Sequence, residues 1–237
     1  MNEEMFARTR TLLGEAAFEA LKKSRMAVIG VGGVGGHCAE ALVRSGVCNL
    51  LLVDDDTVAL SNLNRQAAAW QSTLGKPKVE AMRARLLDLN PQAQIDILFA
   101  RYLPAETHGV WDWRPDIVLD AVDTVAAKVD LAFQAQVRGV MIVSCMGAGN
   151  KRDPFRFETA DLYQTDVCPL CRAMRRACRA RGVERLRVIY SREQPCVQGI
   201  AQQGRCGRPA PASIVTVTGT AGLLLANEAI RMITQDC

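Results

Sequence analysis

Short apolar runs alternate along the chain with stretches whose apolar residues recur at helical spacing. Met26–Gly30 (MAVIG), Asn49–Asp54 (NLLLVD), Gln94–Phe99, Asp116–Asp120 (DIVLD) and Val140–Ser144 read as strands with nearly unbroken apolar cores. Glu15–Lys23, Gly33–Ser45, Lys76–Leu89 and Val125–Arg138 read as helices. The third of these stops at Asn90-Pro91, because proline disfavours helical backbone in the residue before it. Buried strands separated by helices require a parallel sheet covered on both faces. The expected class is therefore α/β: a Rossmann-like, mostly parallel sheet with helices on both faces, plus a small C-terminal α+β extension.

The pattern changes after Gly149. Arg156–Ala160 reads as an antiparallel strand, Cys168–Arg181 as a helix with a basic face, and Leu186–Tyr190 as a further strand. Gln194–Pro211 is rich in Gly, Pro, Gln and Cys and reads as a loop. A final helix is expected over Ala221–Ile233. These boundaries give residues 1–150 as a nucleotide-binding domain and 151–237 as an extension of the same globular unit. The apolar stretch Ile214–Ile233 contains Asn227, Glu228 and Arg231, which favours a core helix over a membrane span.

Charge sharpens this division. Residues 151–208 carry 13 Lys/Arg against 6 Asp/Glu, while the remainder carries 16 against 19. The basic excess thus lies in the extension and points to an anionic partner there. The 9 cysteines are an odd number, and the N-terminus is a mixed charged segment with no secretory pattern. Both fit a reduced, cytoplasmic protein.

Candidate chemistry concentrates between Val28 and Lys78. Gly30, Gly32 and Gly35 form G-x-G-x-x-G between a strand and a helix, with Gly33 inside the same turn. Such glycines let the backbone approach a phosphate at a helix N-terminus. Asp54 ends the second strand, where a carboxylate can accept bonds from ribose hydroxyls. This much is shared with NAD-binding proteins. Asn62, Arg65 and Lys78 add phosphate-binding groups at the same end of the sheet. Asp56 is grouped with them as nucleotide-binding, against a reading as part of a solvated turn. Asp120 and Asp123 follow the fourth strand and are placed to hold magnesium between phosphates.

The order VIGVGGVGG, LVDDDTVALSNLNRQ, GKPK, VLDAVDT resembles the ubiquitin-activating-like family, whose bacterial members include ThiF and MoeB. The resemblance covers about residues 5–150. It implies ATP cleaved to AMP and pyrophosphate during adenylation of a carboxylate. It puts Asp54 on the ribose, Asn62, Arg65 and Lys78 on the phosphates, and Asp123 on Mg2+. It also implies a homodimer in which Arg8, from MFARTRTLLGEAAFEAL, reaches into the partner's site. Arg10 is read as a packing or surface residue.

The second half, SMGAGNKRDPFRFETADL, the basic helix and VIYSREQP, resembles the tRNA threonylcarbamoyladenosine dehydratase branch. There the activated carboxylate is the threonyl group on a modified adenosine beside the anticodon. Arg172, Arg175, Arg176 and Arg179, with Arg181, Arg185 and Arg187, suit a tRNA backbone; the plain alternative is a solvated helix face. Cys168 and Cys171 form a single C-x-x-C where the zinc-binding relatives carry two, so zinc is disfavoured. A thiolate at a helix start has a lowered pKa, which leaves a reactive or sulfur-accepting cysteine and a sulfur-transfer partner open. The rival functions are a sulfur-carrier adenylyltransferase, an NAD-binding redox or sensor module, and a tRNA-binding scaffold without turnover.

Overall fold

The computed structural model describes residues 3–104, 108–196 and 211–234. Its strands are β1 (Arg25–Ile29), β2 (Asn49–Val53), β3 (Gln94–Leu98), β4 (Ile117–Asp120), β5 (Met141–Cys145), β6 (Phe157–Asp161) and β7 (Arg187–Ser191). Its helices are α1 (Ala7–Leu13), α2 (Glu15–Lys23), α3 (Gly35–Ser45), α4 (Lys78–Leu89), α5 (His108–Asp112), α6 (Val125–Arg138), α7 (Pro169–Arg181) and α8 (Val215–Thr234). All seven strands lie in one sheet, ordered β3-β2-β1-β4-β5-β7-β6. Neighbours run parallel except β6, which is antiparallel to β7.

Alternate residues of each central strand face opposite layers. Met26, Val28, Leu50, Leu52, Ile117 and Leu119 meet Leu42 of α3, Met82 of α4 and Leu225 of α8. Ala27, Ile29, Leu51, Val53 and Val118 meet Leu131 and Ala135 of α6 and Trp111 of α5. Both faces are dry, which is why the strands read as continuous apolar runs; each Val, Leu or Ile so buried contributes about 1.5–3 kcal/mol. A third cluster joins Cys171, Met174 and Cys178 of α7 to Val188 and Tyr190 of β7.

The strand order reverses at β1, with β2 on one side and β4 on the other. Ile29 stands opposite both Val53 and Asp120, so the three carboxyl ends are level. Ligands of open α/β sheets bind in the crevice such a reversal creates.

The final helix starts at Val215 rather than at Ala221. Its first turns, VTVTGT, are β-branched and contain Gly219, a composition of weak helix propensity. Packing decides instead. A Cβ at Gly222 would lie 2.4 Å from Val34 O and 2.9 Å from His37 Cβ, so bare glycine lets α8 lie directly on α3. The short helices α1 and α5 were also not expected from periodicity. Most of the expected loop at 194–211, with Cys206, lies outside the described residues. Among the described residues no helix is long and apolar enough to cross a membrane.

Candidate active site

The glycines of the first turn have different jobs. Gly30 has φ +91° and a Cβ there would meet Ala121 O at 2.8 Å. A Cβ at Gly35 would sit 1.8 Å from Gly30 O. These two are required by the fold. Around Gly32 a Cβ would meet nothing within 4 Å, so its backbone faces open space. The N-cap of α3, Val34, supplies no side-chain hydrogen bond to the first turn. An uncapped helix N-terminus beside open glycine backbone fits a phosphate group.

Asp54 holds this turn in place. Its Oδ2 accepts from Val31 N at 2.7 Å and its Oδ1 from Asp56 N at 2.8 Å. Asp56 in turn accepts from Lys78 Nζ at 2.8 Å, and its carbonyl accepts from Lys78 N at 2.9 Å. Asp56 is therefore a positioning partner of Lys78 in this conformation. Burial pushes the Lys78 ammonium below the ordinary lysine range, while Asp54, Asp55 and Asp123 oppose the shift and Arg65 adds to it. Those charges all act on one buried amine, so the tertiary structure brings the expected residues to one mouth.

Asn62 is buried, and its Oδ1 accepts from Ala59 N at 3.0 Å. Arg65 Nη1 donates to Ser61 O and Asn64 Oδ1, both at 2.8 Å. Partial burial lowers the pKa of its guanidinium from the ordinary arginine value. A Cβ at Gly33 would lie 3.4 Å from Arg65 Cγ and 3.3 Å from Thr218 Oγ1. Thr218 of α8 thus walls the turn, and His37 Nε2 lies 3.0 Å from Arg65 O. Neither residue was expected. No local pattern marks Thr218, and His37 has no partner visible along the chain.

The two aspartates after β4 separate. Asp120 is fully buried and pairs with Lys128 Nζ at 3.0 Å. It also accepts from Ser144 Oγ, while Lys128 donates to Cys145 O at 2.7 Å. The expectation that Asp120 holds magnesium is corrected by this network, because its charge is already compensated inside the core. Asp123 is exposed and accepts from Thr124 Oγ1 at 3.2 Å. It belongs to no dense carboxylate group; among the described residues that property is confined to Asp54, Asp55 and Asp56, whose oxygens lie within 4.8 Å of one another. One carboxylate fits Mg2+ that arrives on nucleotide phosphates, since Mg2+ takes few protein ligands and keeps its other positions for phosphate and water.

The extension is less uniform than its sequence suggested. Arg172, Arg176 and Arg179 are exposed on α7, but Arg175 Nη1 donates to Thr165 O at 2.8 Å. Arg179 and Arg181 lie over the rings of Tyr163 and Phe133. Arg187 belongs to β7 and pairs with the buried Glu228 at 2.6 Å. Arg175 is thus part-buried and tied to the backbone, and the charge of the exposed Arg187 is matched by Glu228, which sets both apart from the expected open basic face. Cys168 is the N-cap of α7. Its thiol is held down to about 6, first by the Cys171 thiol and then by the Cys171 and Leu170 backbone amides, against the opposing effect of burial. Among the described residues no third metal-binding side chain joins this pair in a metal-sized group. Arg8 is exposed on α1; Arg10 stacks over Phe18 and pairs with Glu15 at 3.3 Å, a packing role.

The chain is 37% identical over 241 residues to the tRNA threonylcarbamoyladenosine dehydratase of Bacillus subtilis, covering 98% of this chain and 95% of that one. It is 42% identical to the molybdopterin-synthase adenylyltransferase of Escherichia coli, but over 122 residues, 50% of this chain and 49% of that one. The solved structure of the E. coli tRNA N6-threonylcarbamoyladenosine dehydratase TcdA in complex with ATP superposes with a TM-score of 0.89 at 26% identity, covering 99% and 95% of the two chains. The family model that matches residues 6–236 is that of the ThiF family, and the chain belongs to it.

Proposed function

We propose that this protein is an ATP-dependent tRNA threonylcarbamoyladenosine dehydratase. The observation that carries the reading is the reach of the likeness. It covers 98% of the chain, the basic extension included, in the dehydratase, whereas the match to the sulfur-carrier-type adenylyltransferase spans half the chain. Residues 1–150 serve as the adenylation module and 151–237 as the RNA-facing extension. An NAD-binding module would leave Arg65, Lys78 and Asp123 at the mouth without a task.

The chemistry follows from the site. ATP lies with its ribose toward Asp54 and its phosphates over Gly32 and the start of α3. The threonyl carboxylate oxygen attacks the α-phosphorus, and the bond from the α-phosphorus to the bridging oxygen breaks. Lys78 and Arg65, joined by Asn62 and by Arg8 of a second protomer, take up the negative charge that develops on pyrophosphate. Each such contact is worth roughly 100- to 1,000-fold in rate. Mg2+ at Asp123 supplies further charge neutralisation when bound. The neighbouring ureido group then attacks the acyl carbonyl and loses a proton, AMP leaves, and a ring closes with net loss of water. The balance needs no sulfur donor, so a sulfur-transfer partner and a catalytic cysteine are not required. Such an enzyme works with its tRNA in the cytoplasm.

A homodimer is part of this reading: Arg8 is exposed on α1, where it is free to reach a partner's site.

The test is AMP release from ATP and Mg2+ with and without tRNA carrying threonylcarbamoyladenosine, with mass spectrometry of the nucleoside. Release that depends on the modified tRNA, together with a nucleoside lighter by one water, is expected. An unchanged nucleoside and no stimulation would return the choice to a Gly-Gly-tailed sulfur carrier as substrate.

A further inference from the structure

The turn between β5 and β6 holds the most exposed large apolar side chain described: Phe155, 94% exposed. A single exposed apolar residue is ordinary. This one is built in place. Pro154 precedes it in a 3-10 turn, and its own N–H donates to Asp153 Oδ1 at 2.9 Å. The Glu193 carboxylate accepts from Arg152 N at 3.0 Å and Asp153 N at 2.9 Å. Lys151 Nζ, itself buried, donates to Glu193 O at 2.5 Å. The backbone of Arg152, Asp153 and Phe155 is thereby held by hydrogen bonds at the base of an exposed ring. A rigid aromatic loses little freedom when it binds.

Its surroundings select the partner. Arg152 and Arg156 lie three residues before and one residue after Phe155 in the same turn, and both are exposed. Arg156 pairs with Asp153 at 3.2 Å, an ion pair open to solvent and so weak enough to be exchanged for phosphate. Phe157 stands opposite Ser191, the carboxyl end of β7, so the turn lies on the same edge of the sheet as Gly30 and Asp120. Four strand spacings separate β6 from β1 in the sheet order, about 20 Å at the usual interval. The start of α7 lies near the turn: Arg192 N donates to Arg156 O at 2.9 Å while its side chain pairs with Asp166, just before α7, at 3.0 Å, and a Cβ on Gly147 would touch Leu170 at 3.8 Å. Exposed Arg172 and Arg176 continue the basic surface along α7.

We infer that Phe155, framed by Arg152 and Arg156, is a stacking platform for an unpaired nucleobase of the RNA substrate. Sequence-specific RNA recognition uses splayed single-stranded bases stacked on aromatic rings, with arginine on the adjoining phosphates. The inference rests on the tRNA reading and extends it: one nucleotide sits at the adenylation mouth while another base of the same loop stacks about 20 Å away.

Steady-state kinetics on modified tRNA test it. Phe155→Ala should raise KM for tRNA by about 5- to 100-fold, the usual cost of one lost base–aromatic stack, while kcat changes by less than about twofold. Phe155→Tyr should restore the wild-type KM, and Phe155→Leu should not, because stacking needs a π face. Unchanged KM in Phe155→Ala, or full rescue by leucine, would overturn the platform. Fluorescence separates its failure from that of the dehydratase reading. The extra emission of Phe155→Trp, relative to wild type, should be quenched by an anticodon stem-loop RNA whether or not turnover occurs. Absence of quenching, or quenching that follows protein concentration rather than RNA, would make the ring a protein contact and sink the proposal.

Discussion

At the scale of single residues, the environment decides what a side chain can do. Cys168 is recognisable from CPLC as a thiol at a helix start, but the neighbour that acts on it most, the Cys171 thiol, is set by side-chain packing. A free thiol titrates near 8.5. The folded value of about 6 is lower, so between these values the folded state binds fewer protons than the unfolded state. The stabilisation from Cys168 is therefore complete above about pH 8.5 and is lost as pH falls through about 6. Urea unfolding of wild type against Cys168→Ser should show this difference opening as pH rises across that window. Parallel pH profiles would contradict the assignment. Asp120 and Asp123 teach the same point: they read alike in VLDAVDT, yet Lys128 lies within hydrogen-bonding reach of the first alone.

At the scale of elements, the glycine turn makes two opposite predictions from one motif. Gly35→Ala places a carbon 1.8 Å from backbone oxygen and should lower thermal stability, since neither the turn nor the helix can retreat. Gly32→Ala adds a carbon where nothing lies within 4 Å. It should unfold at the wild-type temperature while KM for ATP rises at least about tenfold, because the methyl group fills the phosphate approach. Calorimetry and ATP–pyrophosphate exchange on both variants check this, and comparable stability loss in the two would refute the division of roles. The strands and the longer helices of the first half were legible because a sheet buried on both faces imposes a long, local apolar signal. The start of α8 was not, because its helicity comes from Gly219 and Gly222 meeting α3, a contact between distant parts of the chain.

At the scale of the whole molecule, the proposed finger requires two chains. Arg8→Ala and Lys78→Ala should each lose most ATP–pyrophosphate exchange alone. Mixed and allowed to exchange subunits, they should recover part of it, since one site of each heterodimer then holds both residues intact. No recovery would place Arg8 outside the partner's site. The sequence by itself determined the parallel α/β class, the glycine turn, and the carboxylate, amide, arginine and lysine that follow, because each is written in residues adjacent along the chain or in simple periodicity. Tertiary structure alone decided that Asp56 holds Lys78 and that Thr218, far along the chain, walls the phosphate turn. It likewise tied Arg175 to Thr165 and Arg187 to the buried Glu228, and presented Phe155 outward. The physical reason is that burial and pairing are properties of surfaces brought together by folding, and local sequence carries no record of which distant surface arrives.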